Sequence, residues 1–119
     1  DVEYRCIFVH NAHATLTWLT PVVWLSAETA GGANIAIAID GVAASAIGAT
    51  PAQADEVANE GTAPTGEAFS SPTTKATGLA LADLPAGQCR AIWLRRTCVN
   101  SVALDNDDVT IRVEGDTQA

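Results

Sequence analysis

The residues with the richest chemistry lie near the start of the chain. Cys6, His10 and His13 form a C-x3-H-x2-H run, a spacing that invites a metal centre. Extended backbone argues against one, because side chains on a strand alternate between faces and residues three apart share none. Two histidines also fall short of a closed tetrahedral ligand set. Cys6 alternates with Tyr4 and Phe8, a core-packing pattern, so the histidines are expected to cap turns or lie at the surface. A second cluster, Asp105, Asn106, Asp107 and Asp108, has the look of a calcium loop. An EF-hand needs glycine at its sixth position and glutamate at its twelfth, whereas counting from Asp105 places Thr110 and Asp116 there. The expectation is a solvated hairpin loop whose Asn and Asp favour turn conformations, with a looser calcium-binding loop as the other reading.

Nucleophile and phosphate machinery is missing. There is no G-x-S-x-G elbow, H-E-x-x-H pair, Walker loop or Rossmann glycine fingerprint, and Gly31-Gly32 lacks the lysine of a phosphate cradle. The acidic pair Asp55-Glu56 sits in polar loop sequence, where nothing would desolvate a catalytic carboxylate. The chain is expected to be no enzyme and to use no cofactor.

Three cysteines, Cys6, Cys89 and Cys98, allow at most one intrachain bridge. Cys89 and Cys98 lie near opposite ends of one strand-like run, about 30 Å of extended chain, far beyond the ~6 Å that a disulfide spans between Cα atoms. A bridge from Cys6, to Cys98 or to a neighbouring chain, is the alternative to three small, partly buried thiols in a reducing cytosol.

Four of the six cations are Arg90, Arg95, Arg96 and Arg112, on the last two strong strand patterns. Arg95 and Arg96 point to opposite faces, so one is expected to turn inward and to need a carboxylate. Pairing within the chain to its surplus acids is the first expectation for the four; docking on an acidic patch of a neighbouring subunit is the other, since arginine is enriched at interfaces. The three tryptophans, Trp18, Trp24 and Trp93, are expected in the core, because few other large residues exist to fill it. Trp18, beside Pro21, is the one of the three most open to exposure and so the fifth contact candidate.

The elements that position these residues follow from period-two patterning. Residues 3–10 alternate Tyr4, Cys6, Phe8 against Arg5, Ile7, Val9, and residues 15–19 alternate up to the interruption at Pro21. Residues 22–26 are rich in β-branched and aromatic side chains, and residues 34–40 read N-I-A-I-A-I-D, isoleucines on one stripe and alanines on the other. After a loop-rich middle at 42–77, with short strands expected around Val57 and Phe69 and a helical turn over 53–59, the pattern resumes at Leu79 and Leu81. It continues through 88–96 and closes at 108–114, ahead of Gly115. The loop over 100–107 reads as polar. Six or seven short strands with turns roughly every ten residues predict an all-β antiparallel sandwich, Ig-like, with a jelly roll as runner-up.

The 119 residues form one domain, 1–119, with a single core. The start at Asp1 rather than Met leads to the expectation of an additional N-terminal segment in the full product. Twenty-three alanines, 5% aromatics and a net charge of −8 give small apolar side chains inside an acidic surface. That balance argues against nucleic acid, which calls for clustered cations, and against an anionic membrane.

Five blocks carry a resemblance. They are Y-R-C-I-F-V-H-N (4–11), V-A-N-E-G-T-A-P-T-G (57–66), F-S-S-P-T-T-K-A-T-G-L-A-L (69–81), D-L-P-A-G-Q-C-R-A-I-W-L-R-R-T (83–97) and V-T-I-R-V-E-G-D-T (109–117). Together they look like a group of small virion structural proteins of tailed bacteriophages, R-A-I-W-L-R-R-T and R-V-E-G-D-T being the most specific. The resemblance implies a place in the virion, assembled in the host cytoplasm, with no catalytic residues. The expected partners are the major capsid protein or other virion subunits, in a homo-oligomer or in many copies per particle. A capsid decoration protein is the first expectation. The second is a tail, neck or fibre-associated Ig-like domain binding tail subunits or the host surface. A carbohydrate-binding module is the third; it would need an exposed aromatic platform, for which Trp18 is the candidate.

Overall fold

In the computed structural model, which describes residues 1–50, 52–99 and 102–118, the chain is all-β. The strands are β1 Val2–His10, β2 Trp18–Glu28, β3 Asn34–Ile39, β4 Ser45–Ala46, β5 Leu79–Ala80, β6 Gln88–Thr97 and β7 Val109–Thr117. One turn of 3-10 helix, Lys75–Thr77, stands among them. No helix is long and apolar enough to cross a membrane among the described residues. The strands make two antiparallel sheets, β1-β6-β3 with β4 also on β6, and β5-β2-β7, so the expected β-sandwich is what the chain forms.

The isoleucine stripe of β3 explains the core. Ile35, Ile37 and Ile39 lie on the face of the first sheet that looks at the second, and Ile37 is packed with Val23, Leu25, Leu81 and Ile92 in a fully enclosed cluster. Apolar area removed from water at about 25 cal/mol per Å² is the dominant stabilising term here. The alanine stripe has its own role. Ala36, Ala38, Ala91 and Trp93 are buried as well, so β3 and β6 are covered on both faces, as runs lacking hydrophobic-polar alternation require.

The cover is the loop-rich middle. Residues 40–50 and 52–70 fold across the outer face of the first sheet, and small Ala side chains let that chain approach closely. The Trp93 indole donates to the Asp40 carboxylate at 2.8 Å, the Gln53 amide reaches the Cys89 Sγ at 3.2 Å, and Phe69 stacks edge-on against Tyr4 with ring centroids 5.6 Å apart. The chain then pairs Ser70 with Ile37 on one sheet and passes the Pro72 carbonyl to the Leu25 N–H on the other. That crossing closes the β3/β5 side of the sandwich.

Several expectations change. The Tyr4, Cys6, Phe8 face of β1 turns away from the central core toward this outer layer, and Phe8 is half exposed; Val9, on the opposite face, packs against the core. The short strand expected near Phe69 survives as the Ser70 bridge. At Val57 there is none, and 53–59 is not helical: the side chain of Gln53 is drawn back to Ser45, Ala46 and Cys89. Pro21 does not end a strand. β2 runs through it with a register shift between Leu19 and Val22, Thr20 holding a positive φ of 46° while its N–H is taken by the Asp83 carboxylate at 2.8 Å. Opposite this bulge β7 continues past Gly115 to Thr117, the glycine leaving room where a side chain would strike β2.

The Cys6–Cys98 bridge is excluded. Cys6 is paired with Trp93, and the Cys98 N–H bonds the Asp1 carbonyl, five residues before Cys6 and just ahead of β1. That separation is about 17 Å, nearly three times disulfide reach, and all three cysteines are free.

Candidate interaction surface

The four arginines do not form one docking side. Arg90 is turned into the end of the sandwich, where its guanidinium donates to the Leu81 carbonyl at 2.6 Å and to the Asp40 carbonyl at 3.3 Å. Arg95 lies under the loop layer with its guanidinium 5.2 Å from the Phe69 ring centre and its Nε buried without a hydrogen-bond partner. It is the inward arginine that residue alternation predicts. No carboxylate is within ion-pair reach of it among the described residues; an aromatic face takes that place, which a planar guanidinium permits and an ammonium does less well. Arg96 points to the other face and pairs with Glu3 at 3.5 Å and Asp107 at 3.9 Å. Arg112 lies over the Trp24 ring at 5.8 Å and beside Glu114 at 3.5 Å. Arg96 and Arg112 are the two left substantially open to solvent, in ion pairs of the exposed kind that contribute little to stability.

Trp24 and Trp93 are buried and Trp18 is half-buried, so Trp18 is the most exposed tryptophan. It borders a shallow depression of about 140 Å³ with Asn11, His13 and Leu16. The histidine is a turn cap there: its Nδ1 accepts from the N–H groups of Thr15 at 3.1 Å and Leu16 at 2.9 Å, so the ring hydrogen is on Nε2. Neither Cys6 nor His10 joins it.

The acidic loop after β6 braces the molecule. The Asp107 carboxylate accepts from the Ala33 N–H at 3.2 Å, the Asp108 carboxylate accepts from the Thr29 hydroxyl at 2.8 Å, and the Asp108 N–H returns to that hydroxyl. These bonds tie the loop to the β2–β3 turn. A different carboxylate group, absent from sequence reasoning, gathers in the outer layer: Asp40, Asp55 and Glu67 bring ligand oxygens within 4.8 Å of one another. Such oxygens suit a hard cation. Here Asp40 is fully buried and already accepts from Val42, Asp55 and Trp93, and Glu67 accepts from Gly41, so the group acts as a staple for the 40–67 chain.

The exposed apolar residues mark the surface that remains. The loop following β6 reads as polar, yet Val102 is 87% exposed, with Val99 and Leu104 also open to water. These residues rim a depression of about 270 Å³ with Gly32, Ala33, Arg96, Cys98 and Asp107. A second hollow of about 240 Å³ adjoins it between the sheets, lined by Glu3, Arg5, Ile35, Leu94 and Val109. One end of the sandwich is thus concave, apolar at its rim and flanked by an arginine. Comparison with family models, with characterised proteins and with solved structures finds no match for this chain.

Proposed function

We propose that this domain is a non-enzymatic structural protein of a bacteriophage virion, a capsid decoration protein that binds capsid subunits and stiffens the head. The observation that carries the reading is the apolar rim of Val99, Val102 and Leu104 beside Arg96, a desolvation-ready contact patch on an otherwise acidic chain. The resemblance of the five sequence blocks to virion proteins supports it, as does the absence of catalytic motifs from the sequence. Trp18 and Arg112 are the other contact residues still open to a partner. Each copy would bury modest area, and repetition over the shell would make the total large.

Copy number tests the role. Several hundred copies per purified particle fit decoration, whereas six or twelve point to the alternative, a tail or neck position. Val102→Asp places a charge in the rim without touching the core. It is expected to lower occupancy on particles by about tenfold or more, measured by co-sedimentation with expanded heads; unchanged occupancy would remove this rim from the interface.

A further inference from the structure

β1 and β7 are the edge strands on the open side of the sandwich. On β1 the odd-numbered residues exchange hydrogen bonds with β6, as the flanking bonds from Cys98 to Asp1 and from Asn11 to Gln88 show. The even-numbered residues therefore direct their N–H and C=O groups outward. At Tyr4 that edge is closed, because the Tyr4 N–H donates to the Glu60 carbonyl at 2.7 Å and Arg5 pairs with the Glu60 carboxylate. Beyond it, over residues 6–10, the main-chain edge is bare among the described residues. The side chains beside it are apolar and wet, Ile7 39% exposed and Phe8 50%. Sheet edges of this kind are templates for another strand.

We propose that this bare edge pairs antiparallel with the same edge of a second copy, across a two-fold axis at Phe8. Charge argues for a second copy. In a chain of net charge −8, residues 6–10 (C-I-F-V-H) carry no carboxylate and no Lys or Arg, so two copies can meet there without setting like charges opposite each other. Register argues for the position of the axis. Centred on Phe8, the pairing sets Phe8 on Phe8, Ile7 on Val9 and Cys6 on His10, a self-complementary set as an isologous interface requires. The closed end at Tyr4 then falls opposite Ala12, outside the partner strand. An axis at Cys6 would instead set Phe8 against Tyr4, whose N–H is already engaged by Glu60. The Phe8-centred ladder adds about six main-chain hydrogen bonds and joins two first sheets into one continuous sheet.

Sedimentation equilibrium on the wild-type chain, at about 0.05 M and about 0.5 M salt, is the primary experiment. A monomer–dimer equilibrium that tightens with salt is expected, since added ions screen the repulsion between acidic copies. Phe8→Glu should weaken dimerisation by at least tenfold, with an unchanged melting temperature at dilutions where the wild type is monomeric, the site being half exposed. Under mild oxidation Phe8→Cys should yield a crosslink between the two introduced thiols, mapped by mass spectrometry, because directly paired Cα atoms are about 5.5 Å apart. Ile47→Cys, at an exposed site off the strand, should not crosslink. A wild-type chain that is monomeric throughout, a dimer indifferent to Phe8→Glu, or an edge that binds only a foreign uncharged peptide would each overturn the proposal. Particle copy number has no bearing on any of these readouts.

Discussion

Asp40 is the residue on which the outer layer hangs. Its two carboxylate oxygens, fully buried, accept from the Val42 and Asp55 N–H groups and the Trp93 indole, while its carbonyl accepts from Arg90. Removing the carboxylate leaves three donors short of an acceptor, each in or beside the interior. Asp40→Ala is expected to lower stability by roughly 3 kcal/mol or more, and Asp40→Asn by less, measured by urea unfolding with the Trp93 environment as probe. Cys6, nearby on β1, has its thiol pushed up from 9.0 to about 11 by burial and secondarily by the Asp40 charge. The sign follows from the neutral form being the favoured one in the fold. The stability this contributes is complete below about pH 9 and is lost as pH rises through about 11. Cys6→Ala should therefore flatten the alkaline limb of the stability profile, and the wild-type thiol should alkylate slowly at pH 8 relative to an unfolded control. Of this network the sequence offers only Asp40 at the end of an alternating strand followed by glycine. Nothing local says that a residue fifteen positions on will bring its N–H to that carboxylate.

At the scale of elements, alternation reads well and irregularity poorly. β1, β3 and β6 fall where period-two patterning predicts, since the two-residue repeat of extended chain sorts residue types onto two faces, although which face of β1 meets the core was decided by the outer layer. The bulge in β2 and the extension of β7 past Gly115 are coupled and were not legible. A proline reads as an interruption and a glycine as an end. In the folded chain the two lie across from each other. A Cβ on Gly115 would stand 2.7 Å from the Leu19 carbonyl oxygen, 2.7 Å from the Trp18 indole nitrogen and 2.8 Å from the Pro21 Cα. Two of those neighbours are main-chain atoms that cannot rotate away. Gly115→Ala is expected to cost about 2 kcal/mol, seen as a lower urea midpoint with the transition slope unchanged; a neutral result would mean that the bulge yields freely.

The whole molecule is a sandwich with a third, non-regular layer, and its stability is expected to be uneven for that reason. The central core is held by large apolar side chains between two sheets, the outer layer by Asp40, Gln53, Phe69 and Glu60 over an alanine-rich face that offers little apolar area per residue. Phe69→Ala removes the contact with Tyr4 and Arg95. Native-state hydrogen exchange should then show faster opening of amides in the cover, Asp55 among them, while Ile37 and Ile92 on the central strands keep their protection. Loss of protection everywhere at once would mean that the cover and the core unfold as one unit.

By itself the sequence determined the class of fold, the place of the main strands, the isoleucine core and the acidic balance, because these depend on the periodicity and kind of side chain along one stretch of chain. Three things were decided only by tertiary structure. The four arginines were scattered between two sheets and mostly given intrachain partners, the middle loops were laid over a face that alternation alone leaves unassigned, and the valines and leucine of a nominally polar loop were left in water. Each depends on which distant segment packs on which face. That is fixed by strand order and close approach across the sheet, quantities with no period and no local signature.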